Sequence, residues 1–194
     1  MFIELTDHLR CPRDHPEAYL VLLPDEVSGR GVRSGQLGCP ICGATFRVAD
    51  GVAELDAPAP GPAGPGLPAE AAHALLGLTG PGGYVVLAGS AAEGWRELAE
   101  LNPGVAMVAV NPPAELADSP PVLSVVRAPI IPVKARSMRG VVLGGTLGSD
   151  REWVQDAARV TLPGLRVVGQ GPEPPVPELE LLASADGYWV AARR

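Results

Sequence analysis

The spacing of apolar positions changes once along this chain. Before residue 56, short runs alternate apolar and polar residues with the two-residue period of β-strands, and polar turns separate them. These runs predict four strands, at 18–23, 31–37, 44–48 and 51–55. After residue 68, continuous apolar runs alternate with segments that have helical spacing. The pattern therefore predicts a small β unit followed by a larger α/β unit.

The second unit has the pattern of a buried parallel sheet. Apolar runs predict strands at 84–89, 105–110, 123–128, 140–145 and 165–170, a closing hairpin at 178–184 and 188–193, and helices at 68–78, 91–101 and 149–162. Continuous apolar strands between helices indicate a sheet that is covered on both faces. The predicted fold class is therefore α/β, a doubly wound and mostly parallel sheet with a C-terminal antiparallel hairpin. It is a reduced form, because prolines such as Pro112, Pro113, Pro129 and Pro132 shorten or remove two crossover helices.

A segment rich in proline and glycine separates the two units. Residues 57–68 lack any hydrophobic period, and such sequences are extended and solvated. We therefore predict three parts, namely a β unit at 1–56, a linker at 57–68 and an α/β unit at 69–194.

The charge balance limits the partners of this chain. The 194 residues carry a formal net charge of −7, which opposes general binding to polyanions. Between Val122 and Ser149, however, there is no acid, and four basic residues follow one another: Arg127, Lys134, Arg136 and Arg139. They predict a local positive patch for RNA, an acidic partner or a second subunit. The alternative is that these side chains face solvent and pair with acids elsewhere.

The sequence also indicates a location. No run approaches eighteen apolar residues, so no membrane span is predicted, and the N-terminal residues lack the apolar core of a signal peptide. Three cysteines, two of them in a Cys-x-x-Cys pair, favour a metal in a reducing compartment over disulfides. We expect a cytoplasmic protein.

Four residues of the first unit have the spacing of a zinc site. Cys11 and His15 form a Cys-x3-His pair, and Cys39 and Cys42 form a Cys-x2-Cys pair between glycines. Two such chelating pairs supply the four tetrahedral ligands that zinc needs, and a closed site of this kind stabilises a fold. Asp14 stands where a second cysteine of the first pair would be and is an alternative fourth ligand. The other interpretation is free thiols and a surface histidine.

The N-terminal unit resembles the Trm112-like zinc ribbon. Its residues 9–12 read Leu-Arg-Cys-Pro, a second Cys-x-x-Cys follows, and Phe46, Val48 and the Asp50-Gly51-Val52 tail match the family pattern. The first knuckle departs from the pattern. The resemblance implies that a small β zinc ribbon precedes the sheet. Members of this family stabilise methyltransferases as small partners or are fused ahead of them.

The second unit resembles class I S-adenosylmethionine (SAM) methyltransferases, whose fold is Rossmann-like. The order of elements after residue 68 matches, and residues 157–171 look like the family's Arg-Val-Leu-Lys-Pro-Gly-Gly stretch. The resemblance places the cofactor turn at 85–94, with Gly89 as its first glycine. Leu87 then stands where the family has an acid, and Ala91 and Glu93 replace its second and third glycines. Asn111 stands where an acid holds the ribose hydroxyls.

These departures predict a vestigial SAM site formed by Gly89, Ala91 and Asn111, since a Cβ or an extra charge in the turn hinders the ligand. No catalytic residue is predicted. Asn111-Pro112-Pro113 resembles a catalytic motif of amino-group methyltransferases, but it follows the wrong strand and Ala114 replaces the aromatic residue. We therefore expect a pseudoenzyme, a non-catalytic zinc-binding scaffold that binds a protein partner or a second copy of itself. The alternative is a SAM-dependent methyltransferase, including an RNA-directed one, with a divergent cofactor loop.

Overall fold

The computed structural model describes residues 1–56 and 66–194, so the predicted linker lies outside the described residues except for 66–68. Within this part of the chain, one sheet contains eleven strands in the order β1-β2-β3-β4-β7-β6-β5-β8-β9-β11-β10. Their bounds are β1 Val21–Ser28, β2 Gly31–Gly38, β3 Thr45–Ala49, β4 Val52–Glu54, β5 Tyr84–Ala88, β6 Ala106–Val110, β7 Leu123–Arg127, β8 Met138–Leu143, β9 Thr161–Gln170, β10 Leu179–Ala185 and β11 Tyr188–Arg193.

The centre of the sheet is parallel and its two ends are antiparallel. Strands β7, β6, β5, β8 and β9 pair in parallel, whereas β9, β11 and β10 pair antiparallel. Counted from β5, the parallel strands have the order 3-2-1-4-5, which is that of doubly wound sheets. The described residues thus form a mixed α/β protein with a large, mostly parallel sheet and few helices.

Three α-helices lie among the described residues: α1 Ala69–Leu76, α2 Trp95–Leu101 and α3 Arg151–Val160. Helix α3 begins after Asp150, whose carboxylate accepts hydrogen bonds from the N–H groups of Glu152 and Trp153. The predicted helix at 91–101 is shorter than expected. Residues Gly89–Ala92 form a 3-10 turn instead, and α2 begins only after Gly94, which is a poor helix former.

The sheet has a different cover on each face. Helices α1 and α2 pack on one face of β5 to β9, where Leu76 and Leu98 are buried. Helix α3 and the N-terminal segment cover the other face, which continues into β2 and β3 and buries Leu37 and Phe46. No helix of residues 1–56 or 66–194 covers the face of β2 to β4 that carries Gln36, Arg47 and Glu54, and all three side chains are exposed.

Strand pairing continues from the antiparallel strands β1 to β4 into the parallel strands. Strand β4 pairs in parallel with β7, with Ala53 opposite Val126. Leu9 forms an antiparallel bridge with Val133. The two predicted units therefore share one hydrogen-bonded sheet.

The connections after β6 and β7 contain no helix, which confirms that both crossovers are reduced. The segments at 111–122 and 128–137 are turns and extended chain. Arg159 and Asp156 of α3 hold the second segment, because the Arg159 guanidinium donates to the carbonyls of Val133 and Ile131, and Asp156 accepts from the Ile131 N–H. No helix among the described residues is long and apolar enough to cross a membrane.

Candidate metal centre and the turn after strand β5

Two backbone turns carry the four predicted metal ligands. Cys11 lies just after the bridge between Arg10 and Tyr19, and its N–H donates to the Ala18 carbonyl. Cys39 and Cys42 lie in the turn between β2 and β3. This turn is closed by the Cys39 N–H bonded to the Ala44 carbonyl and by the Gly43 N–H bonded to the Cys39 carbonyl. Gly43 has φ of 69°, in the left-handed region that glycine adopts without strain.

The fold brings the four side chains together. The ligand atoms of Cys11, His15, Cys39 and Cys42 all lie within 4.8 Å of one another. Cys11 Sγ is 3.8 Å from Cys42 Sγ, and Cys39 Sγ is 3.4 Å from His15 Nε2. A zinc tetrahedron with bonds of about 2.3 Å to sulfur and 2.0–2.1 Å to nitrogen has edges of about 3.8 Å and 3.5 Å. The residues therefore fit a tetrahedral ion of this size.

His15 is oriented as a metal ligand. Its Nδ1 lies 2.7 Å from the Pro16 carbonyl oxygen, so Nδ1 carries the proton and Nε2 has its lone pair free toward the thiols. A carbonyl acceptor on the other ring nitrogen is the usual outer contact of zinc-bound histidine. Asp14 is exposed and does not belong to the cluster.

The surroundings act differently on two of the thiols. Burial raises the pKa of Cys11 to about 11. Burial also tends to raise the pKa of Cys39. Hydrogen bonds from the N–H groups of Cys42 and Ile41 act in the opposite direction and lower the pKa of Cys39 to about 7. Backbone N–H donors stabilise a thiolate, which is the form that binds a metal. A cation among the ligands would stabilise all three thiolates further.

Thiolate and imidazole ligands in a tetrahedron favour zinc over the harder cations that oxygen ligands bind. All four positions would be filled by protein atoms, so zinc here would hold the 11–15 loop against the 39–42 turn and would have no open position for catalysis.

The turn that follows β5 is where a cofactor binds in doubly wound sheets, next to the switch point between β5 and β8. Here all four residues of the turn Gly89–Ala92 are buried. A Cβ on Gly89 would lie 3.0 Å from Leu147 Cδ1, and a Cβ on Gly144 would lie 2.3 Å from the Ala91 nitrogen. The segment after β8 thus packs directly on the turn after β5.

Two further contacts crowd the same turn. A Cβ on Gly66 would lie 2.6 Å from the Ser90 carbonyl oxygen, so the chain entering α1 passes over the turn. The Ser90 hydroxyl is buried and has no hydrogen-bond partner. The arrangement leaves the turn packed by protein on both sides.

The side chain of Asn111 forms hydrogen bonds within the protein. Its Nδ2 donates to the Ala128 carbonyl at 2.6 Å, and its Oδ1 accepts from the Ala128 N–H at 2.9 Å. Asn111 is buried, and its φ of 49° turns the chain away from β6. The amide therefore joins the ends of β6 and β7.

The four basic residues between 127 and 139 lie at different places in the sheet. Arg127 is at the carboxyl end of β7, and Arg139 is near the amino end of β8, which is the opposite edge of a parallel sheet. The Arg139 guanidinium donates to the carbonyls of Thr79, Gly80 and Gly82. Lys134 and Arg136 lie in the loop between these strands, and Arg136 is exposed.

The sequence predicted the four residues of the Cys/His cluster but gave no indication of the residues that fill the turn after β5. Gly144 and Leu147 come 55 or more positions after Gly89, and no local motif connects them. The one available signal was Gly144-Gly145 directly after an apolar strand, since adjacent glycines there indicate close backbone contact.

Comparisons with known proteins give a limited result. No protein-family model matches the chain, and no curated protein matches it. Two crystal structures of the antibiotic-resistance methyltransferase Kmr are similar, at 12% identity with a TM-score of 0.45 and at 14% identity with a TM-score of 0.43. Each covers 70% of this chain, which spans 97% and 98% of theirs. Both TM-scores are below 0.5, so no statement about a ligand or activity rests on them.

Proposed function

We propose that this chain is a non-catalytic, zinc-binding scaffold with a methyltransferase-like sheet that does not bind SAM. The observation that carries the proposal is the contact between the turn after β5 and the segment after β8. Gly144 packs against the backbone of Ala91, and Leu147 packs against Gly89. A cofactor in the crevice of a doubly wound sheet needs the space between these two segments.

Two residues at the ends of β5 and β6 support the same conclusion. Leu87 provides no carboxylate for the cofactor. The NH₂ group and the carbonyl oxygen of the Asn111 side chain are both hydrogen-bonded to the Ala128 backbone. Breaking these bonds to bind ribose hydroxyls would leave buried backbone groups without partners, which costs about 1–3 kcal/mol for each group. SAM would have to offset that cost as well as open the turn.

Calorimetry with S-adenosylhomocysteine tests this proposal on the full chain with zinc bound. We expect no binding heat at ligand concentrations up to about 1 mM, which corresponds to affinity weaker than about −4 kcal/mol. Micromolar binding would contradict the proposal and return the chain to the SAM-dependent methyltransferases, the alternative reading.

The zinc ribbon is proposed to support the sheet within the same chain. The N–H and C=O groups at the edge of a sheet need hydrogen-bond partners. Strand β4 provides these partners to β7, and the Leu55 N–H also donates to the Arg127 carbonyl. Zinc would hold the ribbon strands in the register that this pairing needs. Removing zinc from the full chain with a chelator should therefore lower the melting temperature of the whole protein and not only that of residues 1–56.

A scaffold also needs a partner, which we propose is a protein or a second copy of this chain in a reducing compartment such as the cytoplasm. Strand β1 is one of the two edge strands of the sheet that the described residues form, and Val21 and Leu23 on it are more than half exposed, at 55% and 61%. Sedimentation at several protein concentrations distinguishes self-association from a requirement for another protein.

A further inference from the structure

The three thiols of the metal centre differ in their access to solvent. Cys11 and Cys39 are 3% and 4% exposed, whereas Cys42 is exposed at the outer side of the 39–42 turn. Oxidants in solution react with a thiolate that they can reach. Cys42 is therefore the sulfur of this cluster that an oxidant meets first.

A sulfur of the other chelating pair lies beside Cys42. Cys11 Sγ lies 3.8 Å from Cys42 Sγ although the two residues are 31 positions apart. Cys39 faces His15 Nε2 at 3.4 Å, and the N–H groups of Ile41 and Cys42 bond to its sulfur. The 3.8 Å contact between the two sulfurs is the observation that makes Cys11 the partner for Cys42.

We propose that the metal centre is a peroxide-sensitive switch in which a Cys11–Cys42 disulfide replaces zinc as the link between the 11–15 loop and the 39–42 turn. This inference rests on the proposed zinc site. The Cys42 thiolate attacks one oxygen of hydrogen peroxide, the O–O bond breaks, hydroxide leaves, and Cys42 becomes a sulfenic acid. The Cys11 thiolate then attacks the Cys42 sulfur, the S–S bond forms, and a second hydroxide leaves.

The electrons balance in this sequence, because the two thiolates lose two electrons together and one peroxide gains two. The ion then retains only Cys39 and His15, and two ligands do not hold zinc against solvent. The disulfide closes a loop of about 30 residues and so restricts the unfolded chain. The oxidised ribbon therefore keeps a cross-link at the same place, and its pairing with β7 survives the loss of zinc.

The experiment uses the full chain purified under reducing conditions and then freed of reductant. Zinc content is measured first, and about one zinc per chain is expected; absence of zinc would contradict the proposed function itself. Hydrogen peroxide is then added, and zinc release is followed with a chromogenic chelator. Release should come with loss of two thiols per chain and should reverse with a dithiol reductant and added zinc.

Disulfide mapping decides the pairing. Cleavage after arginine leaves Cys11 in the peptide 11–13 and both other cysteines in the peptide 34–47, so a linked pair of these peptides, with the link placed at Cys42 by fragmentation, is the expected product. A Cys39–Cys42 disulfide, or zinc that stays bound through oxidation, would overturn the inference while leaving the zinc site intact.

Cys39→Ser and Cys42→Ser form a matched pair, since each removes one ligand. Cys39→Ser should still form the Cys11–Cys42 disulfide at the peroxide concentration that oxidises the natural chain. In Cys42→Ser only Cys11 and Cys39 can pair, and the yield of disulfide should be at least tenfold lower. Equal yields in the two variants would contradict the role of Cys42. If neither variant folds, mapping of the natural chain still decides the pairing.

Discussion

Asn111 and Ala128 hold the ends of β6 and β7 together through two hydrogen bonds, one in each direction between the side-chain amide and the backbone. The resemblance to methyltransferases suggested that Asn111 was a weakened ribose ligand. In the structure its side chain forms hydrogen bonds that connect two strands, so replacing Asn111 should change the stability of the protein.

The first prediction therefore concerns Asn111→Asp, which restores the acid of the family pattern. A carboxylate still accepts from the Ala128 N–H but cannot donate to the Ala128 carbonyl, and two oxygens then face each other in a buried place. We expect a loss of about 1–3 kcal/mol in the free energy of unfolding, measured with denaturant, and no gain in S-adenosylhomocysteine binding. A stable variant that binds this ligand would contradict both expectations.

The second prediction tests the packed turn after β5. A Cβ on Gly144 meets the Ala91 nitrogen at 2.3 Å, whereas a Cβ on Gly94 meets only the Ala69 Cβ at 3.9 Å. Both glycines have negative φ, so the backbone accepts alanine at either position. Gly144→Ala should cost about 1–3 kcal/mol through overpacking, and Gly94→Ala should be neutral or slightly stabilising. Equal melting temperatures for the two variants would mean that the segments do not touch.

The third prediction assigns the fourth metal ligand. His15→Ala removes the Nε2 ligand, so it should lower the zinc content and the melting temperature, whereas Asp14→Ala should leave both unchanged because Asp14 is exposed and outside the cluster. Metal analysis after dialysis against a weak chelator measures the difference. Loss of zinc from the Asp14 variant alone would reverse the assignment.

The fourth prediction concerns pH. Burial lowers the pKa of His8, and the positive charge of Lys134 lowers it further, while Asp7 acts in the opposite direction. His8 packs edge-on against Tyr84, and its Nδ1 is buried without a partner. The folded state therefore prefers neutral His8. Its contribution is unchanged above the ordinary pKa of about 6.5, and stability falls as the pH drops from there toward the lowered folded value.

Denaturant unfolding between pH 7.5 and 5.5 checks this sign. The natural chain should lose more stability over that interval than His8→Phe, which keeps the packing against Tyr84 but cannot be protonated. The lowered pKa of the Met1 amino group, which burial causes, acts in both proteins and cancels in the comparison. A larger loss in the phenylalanine variant would show that His8 gains a proton on folding.

The fifth prediction separates stability from nucleic-acid binding at Arg139. Its guanidinium bonds to the carbonyls of Thr79, Gly80 and Gly82, which hold the turn before β5. Arg139→Ala should reduce the free energy of unfolding by about 1–3 kcal/mol, whereas Arg151→Ala at the exposed start of α3 should change it by less than about 0.5 kcal/mol. If RNA binds to the patch that the sequence predicts, its affinity should fall steeply with salt and with Arg136→Ala. An unchanged melting temperature for Arg139→Ala would contradict the structural role.

The sequence by itself predicted the order of the strands, the closing hairpin, the reduced crossovers and four candidate metal ligands, although β1 lies at Val21–Ser28 and not at 18–23. These features depend on local patterns, namely apolar periodicity, proline positions and the spacing of cysteine and histidine. The candidate ligands could be recognised in the sequence because each chelating pair lies within five residues. The choice between Asp14 and His15 needed the structure, because both lie in one short loop and only the backbone path decides which side chain turns inward.

The tertiary structure alone decided how the two halves join and what fills the turn after β5. The pairing of β4 with β7 connects residues more than seventy positions apart, and Gly144 and Leu147 reach Gly89 from the end of another strand. Contacts of this kind depend on which strands are neighbours in the sheet, and strand order is a property of the whole chain. The resemblance seen in the sequence predicted a turn after β5 that departs from the methyltransferase pattern, and the fold showed that neighbouring backbone is packed against this turn.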